Sequence, residues 1–176
     1  MKILQTLKSI FLGILGTLFF VFALCMTIIL LYRNDFGVTQ FGSTSLVIID
    51  DDITSEVYQK GDLVLVEKQK LEKLSIGDEI FAYSVDTQNV AHVTLGVVGE
   101  IYLEEQAVSY ENGSTYSIDY VVGKASKVYN TLGTFLSIVC SQWGFLFLVL
   151  VPGFLIFIYQ VYALIIEIKY GDEDYN

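Results

Sequence analysis

The chain is poor in the residues that staple, ligate or bind polyanions. Its 176 residues hold two cysteines, one histidine and one proline. Cys25 lies inside one long apolar block and Cys140 borders another. No thiol lies between them, so the polar middle has neither a disulfide framework nor a cysteine metal site. Burial of both cysteines as small apolar residues and a bridge between the two blocks stay open. A lone histidine, His92, excludes a histidine-rich metal centre, and neither a metal nor another cofactor is expected. Bases are scarce too: 10 Lys and Arg face 20 Asp and Glu, a net charge of −10. A nucleic-acid site needs a basic patch. Lys68, Lys70 and Lys73 form the one basic cluster, and Glu67 and Glu72 interrupt it. It reads as a solvated turn face, and nucleic acid is excluded as a partner.

What is abundant is apolar surface. Hydrophobic residues make up 53% of the chain and mean hydropathy is +0.56, too high for an ordinary soluble domain. Residues 9–32 run for 24 positions without a charge, enough to cross a hydrocarbon core of about 30 Å. Lys2 and Lys8 precede this run and favour a cytoplasmic N-terminus. The run is longer than a signal-peptide core and no small-x-small site follows it, so it reads as an uncleaved anchor. Residues 144–166 form a second span, with Trp143 at its start and Pro152-Gly153 within it as a tolerated kink. Residues 131–143 read as an interfacial segment, and 167–176 as a short acidic cytoplasmic tail. Residues 34–130 then form an extracytoplasmic domain.

That middle carries no proline. Its short apolar runs are 46–49, 63–66, 80–83, 90–98, 101–103, 107–110 and 120–122, separated by Gly61-Asp62, Gly77-Asp78, residues 86–89, Gly99 and Asn112-Gly113. This pattern predicts a small mainly β domain of about seven strands between two transmembrane helices. In each Gly-Asp pair the glycine supplies a positive φ and the aspartate caps the turn.

Chemistry has few places to sit. Asp50-Asp51-Asp52 lacks the downstream ligands of a calcium loop. Consecutive strand residues point to opposite faces, so these acids do not make a paired-carboxylate dyad. His92 has the side chain suited to general-base work near neutral pH. Read alone, it is a hydrogen-bonded structural residue or a base, according to what faces it.

The order of these motifs resembles a type I signal peptidase, closest to its histidine-using branch of spore-forming bacteria, archaea and the endoplasmic reticulum. The likeness rests on Lys60-Gly61-Asp62-Leu63-Val64-Leu65-Val66, Ile76-Gly77-Asp78-Glu79-Ile80-Phe81-Ala82-Tyr83, His92, Val121-Val122-Gly123-Lys124 and the closing apolar span. It covers roughly residues 46–166. The resemblance implies an all-β serine endopeptidase fold with a membrane-facing cleft, in which serine attacks, histidine takes its proton and an acid supports the histidine. Gly61, Asp62, Gly77 and Asp78 match the family's structural turns, His92 its base, and Asp119 its later acidic residue.

Two departures matter. Val93 stands where an arginine usually follows the histidine. Asp52 falls on the nucleophilic serine, with no proline after it. A carboxylate is no replacement for that serine, because it brings no hydroxyl proton for His92 to take. Ser45 and Ser43, in Gly42-Ser43-Thr44-Ser45, are the alternative nucleophiles if the following loop is longer than usual. Three readings follow. The first is a catalytically degenerate signal-peptidase-like membrane protein that binds an exported precursor or a pilin-like subunit beside the lipid bilayer. The second is an active endopeptidase using His92 with Ser45 or Ser43. The third is a plain structural membrane protein.

Overall fold

The computed structural model describes residues 2–51, 53 and 57–170. The chain divides into two compact units, one of residues 27–137 and one of residues 1–26 with 138–176.

The first unit is an antiparallel half-barrel sheet of eight strands. They are β1 (Thr39–Phe41), β2 (Thr44–Ile48), β3 (Leu63–Glu67), β4 (Glu79–Val85), β5 (Ala91–Tyr102), β6 (Ala107–Tyr110), β7 (Thr115–Ser117) and β8 (Val121–Tyr129). Their spatial order is β1-β2-β3-β8-β4-β5-β6-β7. The central strands are buried on both faces, which is why they read as unbroken apolar runs. Ile80, Phe81 and Ala82 of β4 have no exposed surface, and Val121 and Val122 of β8 almost none. Neighbouring residues of a strand point to opposite faces, so the sheet has two cores. Phe81 and Val122 join Val47, Ile49, Val64, Val66 and Val93 in one. Ile80, Ala82 and Val121 join Val98, Val108 and Tyr110 in the other, under a 3₁₀ turn that contributes Leu71.

The strand count differs from the expected seven for local reasons. Runs 90–98 and 101–103 belong to one strand, β5, because Gly99 sits at a bulge rather than a turn. The pairing with β6 shifts register between Val98 and Glu100, and a Cβ on Gly99 would stand 3.2 Å from the Glu111 nitrogen. β1 and β7 are three-residue strands with no apolar run to mark them. Each pairs across a glycine turn, at Gly42 (φ 60°) and Gly113 (φ 87°). The run 120–122 continues as β8 to Tyr129, with its outer half exposed.

The second unit holds most of α1 (Lys2–Leu31), α3 (Gln142–Phe145) and α4 (Val151–Tyr170). Residues 10–31 and 142–166 are long and apolar enough to cross a membrane, with mean hydropathies of 2.8 and 2.3, and little of either is buried. Between α3 and α4, Leu146–Leu150 forms a π-helical turn, in which the Val151 N–H donates to the Leu146 carbonyl. The following Pro152 lacks an N–H and its ring crowds the carbonyl four residues back. The widened turn accommodates that crowding without breaking the helix. A Cβ on Gly153 would lie 3.9 Å from the Phe19 ring, so the two long helices meet there.

Candidate functional site: a cleft between two strand edges

Among the described residues, the sheet leaves two strand edges partly uncovered. β1 reaches only as far as Leu46 of β2, so Val47 and Ile48 extend past its end. β6 pairs with β5 only from Val98 onward, so the first half of β5 has β4 on one side alone. Antiparallel strands alternate between pairs that exchange hydrogen bonds and pairs that do not. Asp86 N donates to the Val90 carbonyl at 3.0 Å, which sets the phase of the β4–β5 ladder. His92 and Thr94 then bond to β4, while the main-chain groups of Ala91, Val93 and Leu95 face the other way. Glu111 N reaching the Val97 carbonyl at 2.9 Å, on that outer side, agrees with this phase. On β2, Ile49 N donates to the Asp62 carbonyl at 2.9 Å, so Val47 also faces β3 and Ile48 faces outward.

Between these edges lies a cavity of about 410 Å³. Val47, Ile48, Asp50 and Ile53 form one side and Val90–Val93 the opposite side. Residues 33–38 form an end wall, and Ser137 of α2 (Leu132–Val139) also lines it. The end wall is a built loop. Asn34 Oδ1 accepts the N–H groups of Phe36 and Val38 at 3.1 and 3.0 Å. Gly37 takes φ 76°, a conformation that favours glycine. Asn34 Nδ2 donates to the Tyr83 hydroxyl at 2.9 Å, and Phe36 stacks on the Tyr83 ring at 4.4 Å. Burial raises the Tyr83 hydroxyl pKa, opposed by its bonds to Asn34 and Ser45.

The sequence-predicted site residues fall in different places. His92, near the start of β5, lines the cavity. Its Nδ1 lies 3.3 Å from the Val90 carbonyl, which can only accept a hydrogen bond. Asp52 lies outside the described residues; its neighbours Asp50 and Ile53 line the cavity with His92. Ser45 points into the interior, 2% exposed, and bonds to the Tyr83 hydroxyl. Ser43, in the β1–β2 turn, and Asp119, in a 3₁₀ turn before β8, line a separate groove with Lys68 and Lys70. The fold therefore brings His92 together with Asp50 and Ile53, and sets Ser43, Ser45 and Asp119 apart from it. Among the described residues, Ser137 is the hydroxyl-bearing side chain that lines the His92 cavity, and its Oγ donates to the Thr134 carbonyl at 2.8 Å. Sequence reasoning missed it, and also missed the 33–38 loop. The string Asn34-Asp35-Phe36-Gly37 directly after the anchor is the signal that marks that loop as a tight turn.

The two Gly-Asp pairs lie outside the cavity. In each, the aspartate carboxylate accepts the N–H three residues earlier, Gln59 N to Asp62 at 3.0 Å and Ser75 N to Asp78 at 2.9 Å. Gly61 and Gly77 take φ of 88° and 90°. The first pair also fixes α2. Asp62 accepts Thr131 N at 3.3 Å, and the Gly61 carbonyl accepts Thr134 N at 3.0 Å. α2 in turn carries Ser137 to the cavity.

Comparison with protein-family models, curated proteins and solved structures finds no match to this chain. The site is read from its geometry alone.

Proposed function

We propose that this protein is a signal-peptidase-like integral membrane protein that holds exported precursors, or a pilin-like subunit, at the extracytoplasmic face without cutting them. The observation that carries the reading is the cleft between the outward edges of β2 and β5. An extended segment entering it would pair its main chain with Ala91, Val93 and Ile48, the mode of recognition in which strand addition supplies affinity and pockets supply specificity. Three further features support it. Arg33 follows the first apolar span by two residues, and two residues reach at most about 7 Å, so this cavity wall stays close to the end of the anchor. Lys2 and Lys8 favour a cytoplasmic N-terminus, which puts the β domain outside and the C-terminal tail inside. Asp52 occupies the sequence position where the resembled family carries its serine.

The active-peptidase reading draws on Nε2 of His92 as the base. It requires that nitrogen within about 3 Å of an attacking hydroxyl, directly or through one water. Ser45 is buried against Tyr83 and Ser43 lines another groove. The Ser137 hydroxyl, which does line the cavity, is engaged by the Thr134 carbonyl, so binding without cleavage is the better-supported function. The test is incubation of a signal-peptide-bearing precursor with membranes holding the protein or its His92→Ala, Ser45→Ala or Ser43→Ala variants. The expected result is uncut precursor that co-purifies with every version. Cleavage abolished by His92→Ala and by one serine variant would replace this reading with an active peptidase.

A further inference from the structure

The cleft presents two different surfaces at once. Its edges offer main-chain donors and acceptors at Ala91, Val93 and Ile48, which suit any extended chain. Its floor offers branched aliphatic carbon: Val38, Val47, Ile53 and Val93 line it and are each between 1% and 7% exposed. The floor therefore takes a side chain, and the room above it decides the size. An enclosed apolar cavity of about 150 Å³ already holds benzene; this open one, whose lining also includes Arg33, Asp35, Asp50 and His92, measures about 410 Å³. A methyl group placed here would leave most of the space above the floor unfilled and gain few dispersion contacts, whereas a larger side chain would gain more. A lipid acyl chain would cover the floor but leave the polar main-chain edges unanswered, which is costly once water is displaced.

We infer that the cleft selects its extended partner by one bulky apolar side chain, leucine-sized or larger, seated on Val38, Val47, Ile53 and Val93. The inference rests on the peptide-holding reading and adds its selectivity, which runs opposite to a preference for small residues.

The test uses the full chain in phospholipid nanodiscs and fluorescein-labelled peptides Ser-Thr-Thr-X-Thr-Thr-Ser, with X as Ala, Val, Leu or Phe, read by fluorescence anisotropy. The expected order of affinity is Ala below Val below Leu and Phe, with the last two at least about tenfold tighter than Ala. Ala91 lines the cavity from the β5 edge, so Ala91→Trp is expected to reduce Leu and Phe binding to the level of the Ala peptide. Circular dichroism verifies the fold of the variant, and Ala91→Leu serves if the tryptophan prevents folding. Equal or tighter binding of the Ala peptide overturns the inference, as does undiminished Leu and Phe binding in the folded Ala91 variant. Absence of binding by every peptide is a different failure, which removes the peptide-holding reading and this inference with it.

Discussion

The turns 59–62 and 75–78 close in the same way but sit in different surroundings. Each has a glycine near φ 90° and an aspartate accepting an N–H three residues back. Asp62 is 3% exposed and its second oxygen binds Thr131 N. Asp78 instead meets the Lys124 ammonium at 2.7 Å, with a fifth of its side chain exposed. A Cβ on Gly61 would run into the Thr134 hydroxyl, whereas one on Gly77 would meet nothing within 4 Å. One local sequence signal thus serves a tertiary clamp in one place and a surface turn in the other. The difference lies wholly in what packs against the turn.

The sharpest way to break the clamp is Gly133→Ala. Gly133 is in α2, where alanine favours the helix by about 1 kcal/mol. A Cβ there would stand only 2.5 Å from the Asp62 carbonyl oxygen. Main chain yields poorly, so overpacking outweighs propensity. The expected net loss is about 2 kcal/mol, measured by denaturant unfolding of the full chain in micelles. Unchanged or raised stability would show that α2 is not held against the turn.

Removing the carboxylates separates the two turns next. Asp62→Ala removes a buried carboxylate and leaves the Gln59 and Thr131 N–H groups without their acceptor, and should cost about 1–2 kcal/mol. Asp78→Ala removes a solvent-screened pair and one exposed N–H contact, and should cost about 1 kcal/mol or less. Equal losses would erase the distinction between clamp and surface turn.

The smallest effect is in acid. The hydrogen bond from Lys124, then that from Ser75 N, holds the Asp78 carboxyl below its usual pKa. A carboxylate depressed in the folded state adds stability that is complete above its unfolded value, near 3.8. That contribution is lost as pH falls through the lower folded value. Thermal unfolding of Asp78→Asn beside the parent should therefore differ by under about 1 kcal/mol at pH 7 and converge as pH falls below 4, with added salt shrinking the gap. A gap that persists at low pH would point to a role for Asp78 other than its charge.

The strands were legible because burial on both faces writes an unbroken apolar run, as in Ile80-Phe81-Ala82. The helical ends were legible from length and hydropathy alone. Gly99 was misread because a bulge and a turn use the same residue, and only the partner strand tells them apart. Much less of the cleft was legible. Its walls come from residues 33, 35–38, 47, 48, 50, 53, 90–93 and 137, and no local pattern states which of these segments meet. The orientation of Ser45 was hidden by Leu46, Val47, Ile48 and Ile49, whose continuous apolar run conceals which parity faces inward. The sequence could name His92 as a titratable group on a strand, but the cavity around it is a product of tertiary packing.

The π turn at Leu146–Leu150 sets an angular phase. Helix residues advance by about 100° each, and a turn wider by one residue offsets everything beyond it by about that angle. The side of α4 on which Gly153 meets Phe19 is thus fixed by one surplus residue upstream. Deleting a single residue between 146 and 150 would restore a regular α-helical turn, turn Gly153 away and bring a different row of side chains to Phe19, while leaving the hydropathy of the span nearly unchanged.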